Sequence, residues 1–147
     1  MNCQQNERGY TLIEIIIVLF VVMTLIAIVA QFSLKVAEAK EIERFFSQIQ
    51  LDIQYLQTYS MQQKEYIFMK FESSSHSYSI KKDFYTNVYI RPFPKGVELL
   101  SDRSTVQTIR FNFKGNVMTP GTVYFKTPQG TKKVVVTLGR GRARVDE

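Results

Sequence analysis

Arg140, Arg142 and Arg144, spaced two apart near the end of this 147-residue chain, are the side chains best suited to binding chemistry. In an extended strand, residues two apart share a face. Three guanidinium forks would then pair with successive phosphates of a polyanion such as duplex DNA without reading its bases. Lys132 and Lys133 add charge nearby, and Gly139 and Gly141 let backbone N–H groups approach a phosphate. The same cluster also fits a solvated strand end that partly pairs with Asp146 and Glu147, or is drawn to anionic lipid or wall polymer. Both readings stay open.

A second site of chemistry stands at the other end. A polar leader ends in Gly9, and from Tyr10 an apolar run follows that one carboxylate, Glu14, interrupts. An ordinary secretory signal is cut after its apolar core, whereas here the small residue precedes it, so cleavage between Gly9 and Tyr10 would keep the membrane segment. A carboxylate in a bilayer-length segment costs about 2.5–3.5 kcal/mol near its centre and less near an end, which marks Glu14 as functional by default. The alternative is an interfacial glutamate that reaches water from the helix end.

No catalytic constellation emerges. The lone histidine, His76, lies in a serine-rich turn beside no carboxylate, and neither a Ser-His-Asp arrangement nor a two-histidine metal site can be assembled from it. No enzyme activity, cofactor or metal is expected. Glu38, Glu41, Glu43 and Asp52 are spread along a predicted helix, where carboxylates normally face water. Tyr85 and Tyr89, with Asn87 between them, suit either a stacking surface for single-stranded bases or the outer face of a strand whose Phe84, Thr86, Val88 and Ile90 turn inward.

The elements that must position these residues follow from patterning. Residues 10–30 are apolar or aromatic except for Thr11, Glu14 and Thr24, and as a helix they span roughly 30 Å, one hydrocarbon core. No glycine or proline interrupts the chain until Pro92 and Gly96, so the helix is predicted to continue as an amphipathic segment to about residue 63. Its apolar face is Ile42, Phe45, Phe46, Ile49, Ile53 and Leu56, and Gln48 and Asp52 are read as off that face. Leu51 and Tyr55, on the polar side, are candidates for contact with a neighbouring subunit. Strands are predicted at 66–71, 77–80, 84–90, 97–100, 108–113, 122–127, 133–138 and 142–145. Turn chemistry separates them, with Thr127-Pro128-Gln129-Gly130 reading as a tight hairpin. The fold class is α+β, a long N-terminal helix packed on a C-terminal antiparallel sheet. Its divisions are a leader (1–9), a membrane helix (10–30), an amphipathic continuation (31–63) and a β-rich domain (64–147).

The net charge is +6, and removing residues 1–9 takes away Glu7 and Arg8 together and leaves it unchanged. Cys3, the only cysteine, lies in the leader. A cleaved chain would contain no disulfide even on an oxidising side of the membrane, so its sheet must hold by packing and hydrogen bonds.

The glycine, the aromatic after it and the glutamate fifth after the cut resemble the class III signal of type IV pilins and pseudopilins. That family usually has Phe where Tyr10 stands. Residues 46–57 leading into Gln62-Gln63-Lys64 are similar to the helix-to-strand region of the GspH, FimT and ComGD group of minor pilins. Phe111-Asn112-Phe113-Lys114-Gly115-Asn116, Pro120-Gly121-Thr122-Val123 and Val136-Thr137-Leu138-Gly139-Arg140-Gly141-Arg142 are similar to that group's C-terminal half. Within it the chain most resembles the ComGD family of Gram-positive competence pili. The resemblance implies cleavage by a prepilin peptidase, N-methylation of Tyr10, and pairing of Glu14 with the α-ammonium of a neighbouring subunit. Partners would be a major pilin, other minor pilins, an assembly ATPase and a platform membrane protein, and the filament would serve uptake of transforming DNA. In FimT-like proteins a G-R-x-R pattern, matched at 139–142 and 141–144, lies on a DNA-contacting surface. The implied location is a single membrane pass with the C-terminal domain outside the cytoplasm, then the cell surface within the pilus.

The count of flanking cations points the other way, since only Arg8 precedes the apolar run, offset by Glu7, while Lys35, Lys40 and Arg44 follow it. A bitopic protein with a basic cytosolic binding domain is therefore one alternative. A type II secretion pseudopilin is another.

Overall fold

The structure, a computed structural model, describes residues 10–82, 86–139 and 142–146. Gly9, Arg140 and residues 83–85 lie outside the described residues. The chain divides into two units, Met1–Ala39 and Lys40–Glu147.

Helix α1 spans Leu12–Gln63. It starts where the Thr11 carbonyl accepts N–H bonds from Glu14 (3.1 Å) and Ile15 (3.3 Å). In the first unit every large apolar side chain from Leu12 to Val36 is exposed. An 18-residue window there has a mean hydropathy of 3.2 and is 0% buried, and such a helix is long and apolar enough to cross a bilayer.

In the second unit α1 buries Ile42, Phe45, Phe46, Ile49, Ile53 and Leu56, the apolar face expected from helical spacing. Each such side chain contributes about 1.5–3 kcal/mol as an upper estimate. The helix stops at Lys64, whose φ of 53° turns the chain out of the helix in the manner of a left-handed cap.

Among the described residues eight strands follow: β1 Ile67–Glu72, β2 Ser77–Lys81, β3 Asn87–Pro92, β4 Glu98–Leu99, β5 Thr108–Phe111, β6 Gly121–Thr127, β7 Gly130–Val136 and β8 Ala143–Asp146. They form two antiparallel four-stranded sheets, ordered β3-β2-β1-β5 and β4-β6-β7-β8. Val117 bridges Phe111 and Gly139 and so ties one sheet to the other. Phe45, Phe46, Phe71, Tyr78, Phe93 and Phe125 meet between helix and sheets at ring separations of 5.3 to 6.1 Å, mostly edge to face. The 127–130 hairpin pairs Thr127 with Gly130 around Pro128 and Gln129, and the Thr127 hydroxyl donates to the Gly130 carbonyl at 2.8 Å.

β3 keeps Asn87 on the expected outer side but reverses the expectation at Val88, Tyr89 and Ile90. Tyr89 lies opposite the buried Ile80 and packs against the core, while Val88 and Ile90 are 38% and 56% exposed. The ladder shifts register between Ile80 and Lys81, whose partners are Tyr89 and Asn87, so Val88 is an unpaired bulge residue. The expected inward turn of Val88 and Ile90 is thus corrected by the neighbouring strand's register.

Candidate functional site

At the N-terminal end Tyr10 is 79% exposed and precedes the helix. Glu14 sits in the first helical turn, where a carboxylate is favoured by the unsatisfied N–H groups and dipole of the helix end. Glu14 is exposed, as are the apolar residues that follow it.

The second sheet carries the basic residues. β7 pairs Lys133 with Asp146, Val134 with Val145 and Val135 with Arg144 of β8. Val134 is buried and Val145 packs on the core, so Lys133, Arg144 and Asp146 belong to the opposite, outward face. Arg142 is exposed just before β8, two residues from Arg144. Arg144 Nε is 3.7 Å from Asp146 Oδ1, a partial local neutralisation. Tyr124 and Lys126 of β6 share this outer face, with Tyr124 opposite Lys133. Lys132 has the other parity, and its Nζ lies 5.9 Å from the ring centroid of Phe46. Lys133, Arg142 and Arg144 are therefore brought to one face, and Lys132 is not among them. The Thr137 N–H donates to the Arg142 carbonyl at 3.4 Å, just before β8.

The polar centre that patterning missed is Asp52. Only 3% exposed, it accepts bonds from Gln48 Nε2 at 2.8 Å, Tyr78 Oη at 2.7 Å and Arg91 Nε at 2.9 Å. The expectation that Asp52 faces water is corrected. It lies three residues after Ile49 and four before Leu56, hence on the buried face, and three donors replace its water. Burial, reinforced by the bond to Asp52, raises the Tyr78 pKa well above its ordinary value. Arg91 extends over the Tyr89 ring, 5.1 Å from its centroid, and Tyr55 packs 6.1 Å from the same ring. This network locks β2 and β3 to α1. His76 has a similarly local role: at φ 45° it closes the β1–β2 turn, and its carbonyl accepts the Phe93 N–H at 2.7 Å.

An apolar N-terminal helix, and a helix segment packed on antiparallel sheets, define a pilin-like fold. The family described as the prokaryotic N-terminal methylation motif matches residues 4–30. Among solved structures the chain is similar to the type IV minor pilin FimU of Pseudomonas aeruginosa. In one crystal form the TM-score is 0.58 at 12% identity, over 75% of this chain and 91% of that one. In a second crystal form the TM-score is 0.54 at 12% identity, over 71% and 92%. No characterised protein matches the chain by sequence.

Proposed function

We propose that this chain is a minor pilin of a competence-type pilus, cut between Gly9 and Tyr10, N-methylated on Tyr10, and required for uptake of transforming DNA. The observation that carries the pilin reading is the methylation motif over residues 4–30 leading into an apolar helix whose large side chains are all exposed. Its partners are a prepilin peptidase, the major and other minor pilins and, indirectly, an assembly ATPase and a platform membrane protein. Leu51 and Tyr55, 58% and 41% exposed on α1, are proposed to contact a neighbouring subunit.

The DNA-binding part rests on Lys133, Arg142 and Arg144, with Arg140 and Lys132 as further candidate contacts. The shared outward face of the first three supports phosphate contacts made without base readout. Replacing Arg140, Arg142 and Arg144 by Gln should leave processing and folding intact and reduce DNA uptake at unchanged pilus levels. The salt slope of DNA binding should fall by up to about three contacts' worth. Unchanged transformation by that variant would reduce the basic strand to a solvated edge and the protein's role to filament structure. Transformation retained in a deletion strain whose protein secretion fails would instead favour the secretion pseudopilin.

A further inference from the structure

Where β1 meets β5, the outer side of the first sheet carries aromatic rings among cations. Phe68 of β1 lies opposite Lys81 of β2 and Arg110 of β5, so one row across three strands reads Lys81, Phe68, Arg110. The Arg110 guanidinium carbon stands 5.9 Å from the Phe68 ring centroid. Tyr66, immediately before β1 and two residues from Phe68, is 56% exposed, and its ring meets that of the 44% exposed Phe113 edge to face at 6.1 Å. Lys114 Nζ lies 5.8 Å from the Phe113 centroid. Tyr66 also borders a hollow of about 320 Å³ lined by Lys64, Glu65 and Lys82. The carboxylates beside these rings are already taken, Glu72 by Lys70 at 2.6 Å and Glu65 by Lys82 at 2.7 Å. Among the described residues no carboxylate forms an ion pair with Lys81, Arg110 or Lys114.

We propose that this surface binds a single-stranded nucleic acid, with bases stacking on Tyr66 and Phe113 and phosphates meeting Lys81, Arg110 and Lys114. The excess of cations selects an anion, and the exposed rings select one that also offers flat apolar faces at short intervals. An acidic peptide has the charge without those faces. A duplex has both but keeps its bases inside its own stack, whereas a single strand can splay them onto aromatic side chains and guanidinium planes. Positions 66 and 68, two apart on an extended chain, are separated by about 7 Å, so successive bases can reach the Tyr66 ring and the Arg110 guanidinium over Phe68. The stacking surface that the sequence suggests at Tyr89 is not available, because that ring packs on the core. The surface lies on the first sheet and is independent of the duplex contact proposed for Lys133, Arg142 and Arg144 on the second.

The test is fluorescence anisotropy with the full chain in a zwitterionic detergent at low salt. The probes are labelled oligothymidylate and oligouridylate about 12 nucleotides long, within the site sizes of single-strand binders, and their affinity ratio tells deoxyribose from ribose. Saturable binding of at least one is expected, and an abasic strand of equal length should bind at least about 5-fold more weakly, the lower bound for loss of one stacked base. Tyr66→Ala and Phe113→Ala, both at exposed rings, should each weaken binding about 5- to 100-fold. Lys81→Gln combined with Arg110→Gln serves if a ring variant fails to fold, and should lower the salt slope by up to about 1.4, for two phosphate contacts. Replacing Arg140, Arg142 and Arg144 by Gln should leave the preference over the abasic strand unchanged, which separates this surface from the basic strand of the second sheet. No saturable binding, equal affinity for the abasic strand, competition by polyglutamate as strong as by unlabelled oligonucleotide, or full affinity in the ring variants would overturn the proposal.

Discussion

A carboxylate at 3% exposure is tolerated at position 52 because three donors from α1, β2 and β3 converge on it. Removing the acceptor strands all three. Asp52→Ala should therefore destabilise the chain by about 2–4 kcal/mol, toward the lower end because the Arg91 side chain is 41% exposed and recovers water. Thermal unfolding of the full chain in detergent micelles measures this; a loss within about 0.5 kcal/mol, the range of an ordinary surface substitution, would mean that the network is solvated in solution. Tyr78 adds a pH dependence whose sign follows from its raised pKa. Its contribution is fully present below the unfolded value of about 10 and is lost as pH rises above it, because only the unfolded chain releases the proton readily. Stability should fall between about pH 10 and 11 with a smaller slope in Tyr78→Phe, followed by melts across that interval. Spacing alone held the clue to Asp52, since the position completes the buried stripe of Ile49, Ile53 and Leu56. Its partners, 26 and 39 residues away, are visible only once the sheet is assembled.

Elements were legible where composition is local, and less so where register decides. All eight strand segments and the amphipathic face of α1 follow from alternation and turn residues, with ends displaced by one to a few positions. β3 shows the limit: alternation would put Asn87 and Tyr89 on one face, but the bulge at Val88 breaks it, so that Asn87 joins Ile90 and Pro92 on the outer face while Tyr89 packs on the core. The turn after β5 shows tertiary contact adding to local chemistry. Asn112 Oδ1 accepts the N–H groups of Lys114 (2.9 Å) and Asn116 (3.0 Å), while Gln57 of α1 donates to the Gly115 carbonyl at 3.1 Å. Gly115 has φ 75°, and a Cβ there would stand 2.7 Å from Met61 Cγ. Gly115→Ala should thus cost about 1–3 kcal/mol, from the left-handed backbone and from displaced Met61. Gly139, with φ 93° but nothing within 4 Å of a built Cβ, should pay for backbone strain alone, about 1–2 kcal/mol in Gly139→Ala. Equal melting shifts for the two variants would show that the helix contact contributes nothing.

At the scale of the whole molecule, the first unit exposes all its large apolar side chains from Leu12 to Val36, and water is a poor solvent for that surface. Lipid before assembly and neighbouring helices after it would each cover the segment, and the two environments place opposite demands on Glu14. In a bilayer its carboxylate is a cost of up to about 3.5 kcal/mol, less at a helix end. Between subunits it is an advantage if a neighbour's freed Tyr10 ammonium meets it, an attraction that low dielectric strengthens. Gly9→Val separates the first step, since the unprocessed chain should accumulate in the membrane with its leader attached; a mature N-terminus at Tyr10 in that variant would exclude cleavage at this bond. Glu14→Val separates the second. It should be cleaved normally and stay in the membrane at least as well as the natural chain, yet be depleted from sheared filaments, because the charge proposed to set register is gone while the apolar surface remains. Quantifying the processed variant in membrane and filament fractions tests this directly. Filament content equal to that of the natural chain would mean that apolar packing alone recruits the subunit, leaving Glu14 an interfacial residue that reaches water from the helix end.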